Sequence, residues 1–69
     1  MTVVKVIEVI AEGKNIEDAV NKAVAEACKT LHNLKQVNVE HIEALVENNK
    51  VVNYRIRTKI SFVVDNSNK

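Results

Sequence analysis

The fourteen residues from Val51 to Val64 constrain this chain most, because polarity alternates along them almost without interruption. Val52, Tyr54, Ile56, Ile60, Phe62 and Val64 fall on one side, interrupted only by Thr58, while Asn53, Arg55, Arg57, Lys59 and Ser61 fall on the other. A period of two sends successive side chains to opposite faces, so the stretch predicts a half-buried strand with one apolar and one basic face. At about 3.3 Å per residue it runs roughly 45 Å. One helix in so small a protein cannot cover that length, so part of the strand is expected to meet other subunits.

The chain has 69 residues and a mass of 7.7 kDa, which predicts a single domain over residues 1–69. A chain of this size buries only about 60 % of its unfolded surface. The lone Cys28 cannot form an internal disulfide, and no Cys/His set has zinc spacing. Oligomerisation is the remaining route to a comfortable stability. A net charge of +1 supplies no global field for nucleic acid. The apolar runs are short and the N-terminus has no signal-like apolar core, so no membrane association and a cytoplasmic location are expected. Tyr54 and Phe62 are the only aromatics; both lie on the apolar side of the long strand and read as core rather than as a stacking platform.

Thr2 to Ala11 predicts a first strand, with Val4, Val6 and Ile10 on one side and Val3, Ile7, Val9 and Ala11 on the other. Apolar residues on both sides imply cover on both sides, one layer being a helix and the other a neighbouring subunit. Glu12-Gly13-Lys14 breaks the strand at the only glycine. Asn15 is an N-cap, and Asp18 three residues on approximates a capping box. Ile16, Ala19, Val20, Ala23, Val24, Ala27 and Leu31 then recur at helical steps, predicting an amphipathic helix to about Asn33 with Asp18–Lys22 and Lys22–Glu26 pairs on its polar side.

Lys35 to Glu47 predicts a second strand, and Asn48-Asn49 a two-residue hairpin turn, because asparagine tolerates positive φ. Pairing Glu47 with Lys50 sets Val37 opposite Ile60, Val39 opposite Thr58, His41 opposite Ile56 and Leu45 opposite Val52 on the core face. Glu40 then faces Arg57 and Asn38 faces Lys59 on the outer face, with Ile42, Ala44 and Val46 nearby. Glu43 falls opposite Tyr54 without a partner. Asp65 to Lys69 reads as a polar, frayed end. The fold class is α+β, in the order β-α-β-β: a three-stranded, mainly antiparallel sheet partly wrapping one helix, with an open outer side that predicts an interface.

The residues Lys5-Val6-Ile7-Glu8, Glu17 with Ala19, Lys29-Thr30-Leu31, and Tyr54 to Phe62 (YRIRTKISF), in this order and at these lengths, resemble the dodecin family. That resemblance implies a hollow homododecamer, non-enzymatic, with flavins bound between subunits. Flavin-binding dodecins carry a stacking tryptophan just after the helix, where this chain has Gln36, and a glutamine after the tyrosine of the last strand, where it has Arg55. Gln36 and Arg55 are therefore the candidate cofactor-binding residues. The missing ring removes a stacking contact of about 1–3 kcal/mol. The resemblance is to the branch without the tryptophan, one member of which is described as a calcium-binding dodecin; no calcium ligands are matched here. The implied function is storage or sequestration of a small ligand: FMN, riboflavin, FAD or another anionic cofactor. The alternative is a structural or ion-binding shell that has lost flavin, with acidic groups such as Glu12, Glu43 or Glu47 clustered by symmetry.

Arg55, Arg57 and Lys59 form a basic stripe suited to an anion, and its plainer reading is a solvated strand face partly neutralised by Glu40. His32 reads as a dipole-favourable residue at the helix C-terminus, His41 as a partly buried strand histidine, and Cys28 as a small buried thiol rather than a nucleophile. No catalytic constellation is present, and no nucleic-acid partner is expected.

Overall fold

The computed structural model describes residues 3–64; the expectations for Thr2 and for Asp65 to Lys69 fall outside them. Its elements are β1 (Val3–Gly13), α1 (Ile16–Ala27), β2 (Leu34–Glu47) and β3 (Lys50–Val64). The sheet order is β1-β3-β2, with both pairings antiparallel. The long alternating strand is therefore the centre of the sheet. Its apolar side lies under the helix: Ile56, Thr58 and Ile60 are fully buried and Phe62 nearly so. The Thr58 hydroxyl, the buried polar group on that side, donates to the Val9 carbonyl at 2.8 Å, which satisfies it without water.

The helix meets the sheet through Ala19, Ala23 and Ala27, all buried. Small side chains let the two backbones approach closely, with Ile7, Val9, Ala11, Leu31, Leu34 and Val37 packing around Ala23, Ala27 and Ile60. Asn15 caps the helix, its side chain accepting from the Asp18 N–H at 2.7 Å. Asp18 in turn accepts from the Lys14 N–H at 3.0 Å and pairs with Lys22 at 3.3 Å. The Lys14 hydrogen bond, and then the Lys22 ammonium, hold its carboxyl below the ordinary value of 3.8.

Several sequence expectations are corrected. The first strand does not break before its glycine but continues through Gly13. That residue is buried, and a Cβ on it would lie 2.6 Å from the Ala19 nitrogen, so the missing side chain makes room for the helix start. The helix ends at Ala27, not near Asn33. Leu31 keeps its helical position because its N–H still bonds the Ala27 carbonyl at 3.0 Å, while Asn33, at φ 62°, turns the chain into β2. His32 is thus five residues beyond the helix end, Cys28 is the exposed C-cap rather than a buried thiol, and Glu26 pairs with Lys29 at 3.0 Å instead of Lys22.

The hairpin register holds from Gln36 to Val39 and at the turn, slips between them, and shifts once more at the start of β2, where Leu34 faces Phe62. Val37 faces Ile60, Val39 faces Thr58 and Glu47 faces Lys50 as expected, and Asn48 and Asn49 have φ of 52° and 63°. A bulge at Glu40 shifts the pairing by one until a second irregularity at Val52 restores it. Between them His41 faces Arg57, Ile42 faces Ile56, Glu43 faces Arg55, Ala44 faces Tyr54 and Leu45 faces Asn53. A one-residue slip exchanges faces. His41 and Leu45 therefore leave the core face, while Ile42 and Ala44 join it beyond the helix's cover. Replacing Gly13 by alanine is expected to cost about 1–3 kcal/mol, since the clash is with backbone, read as a lower urea midpoint at unchanged slope; an unchanged midpoint would contradict the close helix approach.

Candidate functional site

The side of the sheet away from the helix carries the charged residues, because directly paired residues of antiparallel strands share a face. Across β1, β3 and β2 in that order, the rows read Glu12–Arg55–Glu43, Ile10–Arg57–His41, Glu8–Lys59–Asn38 and Val6–Ser61–Gln36. The bulge at Glu40 creates the first two of these rows by bringing His41 and Glu43 to this face.

In the first row, Arg55 reaches Glu12 Oε2 with Nε at 3.0 Å and Nη2 at 2.9 Å, and Glu43 Oε1 with Nη1 at 3.9 Å. Glu43, expected to be unpartnered, thus lies beside a guanidinium. Glu40, expected opposite Arg57, instead approaches Lys59 at 3.8 Å and accepts from Asn38 Nδ2 at 2.6 Å. Arg57 has a looser neighbour, Glu8, at 4.0 Å from its Nε. Among the described residues four carboxylates thus approach these three cations, closely at Arg55 and only at the outer limit of an ion pair at Arg57.

A trough of about 190 Å³ is lined by Ile10, His41, Glu43, Arg55 and Arg57 of the first two rows, together with Ile42 and Ile56 of the intervening pair. Gln36 is exposed on the same face, next to Ser61, whose hydroxyl donates to the Gln36 carbonyl at 3.5 Å. Gln36 and Arg55 stand six residues apart along β3, roughly 20 Å, so one subunit does not bring the two candidate residues together. Tyr54 and Phe62 both lie on the helix side, which leaves this face without an aromatic among the described residues. No group of three His, Cys, Asp or Glu suited to a metal occurs among them either; Glu12 and Glu43 meet at Arg55, and Glu47 lies opposite Lys50. No described helix is long and apolar enough to cross a membrane.

Sequence reasoning saw Arg57 only as one member of a basic stripe and read His41 as a partly buried strand histidine; their pairing on the outer face was missed. The available signal was the apolar parity of the second strand, which switches from odd numbers (Val37, Val39) to even ones (Ile42, Ala44, Val46) and so marks a bulge between them.

The family model described as Dodecin matches residues 3–65. Among solved structures, a tryptophan-to-phenylalanine variant of the Thermus thermophilus dodecin superposes with a TM-score of 0.87 at 26% identity, over 94% of this chain and 98% of that one. Dodecin from Streptomyces coelicolor gives 0.86 at 25% identity over 96% of each chain. Dodecin from Streptomyces davaonensis gives 0.85 over 93% of this chain and 96% of that one, and its 18% identity speaks to the fold alone. No curated protein matches the chain.

The geometry ranks the two carboxylates on Arg55. Glu12→Gln, which removes the negative charge behind both short contacts, is expected to lower stability more than Glu43→Gln, with each change below about 1 kcal/mol because the groups are half exposed. Urea unfolding of the two variants checks this, and the reverse order would contradict the clamp.

Proposed function

This chain belongs to the dodecin family, and from that premise we propose that it forms a closed homododecamer that binds a small planar ligand between subunits and stores or sequesters it without catalysis. The observation that carries this reading is the exposed apolar surface on both faces of one sheet. Val4, Val6 and Ile10 stand 55–57% exposed on the outer face, and Ile42, 52% exposed, lies on the helix side beyond the helix. One two-fold contact can cover one of these patches; covering both takes two kinds of interface, which favours a shell over a dimer.

The shape of the subunit supports the same reading. Its radius of gyration is 14.6 Å, against about 11 Å for a compact domain of this length. A plate measuring 56 × 19 × 13 Å has little interior of its own. The trough of about 190 Å³ is smaller than the roughly 300–1,000 Å³ of complete small-molecule pockets, so a second subunit would supply the missing wall.

In this reading Gln36 of one subunit and Arg55 of another line the pocket, and the ligand is a flavin: riboflavin, FMN or FAD. Arg55, held between Glu12 and Glu43, offers a planar guanidinium for the ring to lie against in place of the absent aromatic. Binding that relies on guanidinium stacking is weaker than binding to an indole. Gln36→Trp is therefore expected to raise riboflavin and FMN affinity at least tenfold, since one added stack exceeds the 1.4 kcal/mol of a decade. Quenching of flavin fluorescence in the assembled protein measures it. Unchanged titration curves in an assembled variant would overturn the placement of the ligand at Gln36.

A further inference from the structure

We propose that the oxyanion-recognising element of this protein is the row formed by Arg57 and His41, and that it takes a phosphate monoester or carboxylate carried by the bound small molecule; this rests on the ligand-binding reading above. Three cations face the outer side of the sheet, and their partners differ. Arg55 already has two nitrogens on one Glu12 oxygen and a third facing Glu43. Lys59 faces Glu40 across 3.8 Å. Arg57 meets a carboxylate only through Nε, and only at 4.0 Å from Glu8, the outer limit of an ion pair. Among the described residues neither of its terminal nitrogens has a partner.

The row it stands in completes the argument. Arg55 is flanked across the sheet by an acid on each side, whereas Arg57 is flanked by Ile10 on β1 and His41 on β2. That is the one row of the four that holds a cation and no acid. An exposed imidazole paired with a guanidinium whose Nη groups have no partner among the described residues places N–H donors on one face from backbone positions about 5 Å apart. A phosphate or carboxylate matches the planar fork of arginine. Both residues line the trough together with Ile10, whose apolar side chain stands on the same face beside Arg57. The bulge at Glu40 is what makes this row, because without it His41 would lie on the opposite face.

The charged groups around the row set the comparison. Glu8, Glu43 and Arg55 stand nearby on all three strands, so a diffuse field would respond alike to the loss of either arginine. Direct contact would not. The test titrates FMN, riboflavin and inorganic phosphate into the assembled wild-type protein and into R57Q, R55Q and H41A. Flavin fluorescence reads the first two ligands, and phosphorus NMR the third. Wild type is expected to prefer FMN over riboflavin at least tenfold, and phosphate to compete with FMN. R57Q should erase the preference by lowering FMN affinity far more than riboflavin affinity, H41A should reduce it about threefold or more, and R55Q should change it by less than threefold. If R57Q does not assemble, R57K, which keeps the charge but not the fork, should still lose most of the preference.

Equal wild-type affinity for FMN and riboflavin would leave the ligand-binding reading standing and overturn the Arg57–His41 assignment. An equal loss of preference in R55Q and R57Q would overturn it in favour of the general field of the face. Failure of all three ligands to bind would overturn the ligand-binding reading and the assignment together.

Discussion

The rest of this structure follows from a mismatch of length. A helix of 12 residues spans about 18 Å, while the 15 residues of β3 extend for about 50 Å. The helix shields the stretch from Ile56 to Phe62 and stops. Even there it meets the sheet through three alanines, which permit close approach but bury little area each. What the helix leaves bare includes the hairpin end and the whole outer face, and a two-stranded ribbon alone is marginal in water. The subunit is thus closer to a component than to a self-sufficient globule.

On the outer face, charge is arranged by row rather than by strand. Reading along β3 alone gives arginine, arginine and lysine, and suggests a basic stripe. Reading across the sheet gives acid–base–acid at Arg55, apolar–base–imidazole at Arg57, and an acid, a lysine and an amide at Lys59. The chemistry available to a ligand depends on this second direction, which only the strand order and register reveal. The bulge at Glu40 is decisive, because it exchanges a histidine and a glutamate for two apolar residues on that face.

The contrast explains what was legible in the sequence. The strict alternation from Val51 to Val64, the Asn15 cap and the Asn48-Asn49 turn are local signals, and the structure follows them. The helix end was overrun because Leu31 keeps its helical spacing through a single turn after the helix has stopped. The register was missed because the irregularities at Glu40 and Val52 compensate each other, so the fixed points Val37–Ile60 and Glu47–Lys50 on either side of them gave no warning. Of the candidate site, Gln36 came from resemblance alone, and Arg55 from resemblance and from the basic stripe along the last strand. The partners of Arg55 were not legible, since Glu12 is 43 residues away along the chain.

The central claim is that two bare apolar patches on opposite faces require a closed assembly with more than one kind of contact. Sedimentation equilibrium of the purified protein at micromolar concentration tests it most directly. The account predicts one species near twelve times the 7.7 kDa chain mass. A monomer of 7.7 kDa, or a dimer that persists over a hundredfold range of concentration, would contradict it.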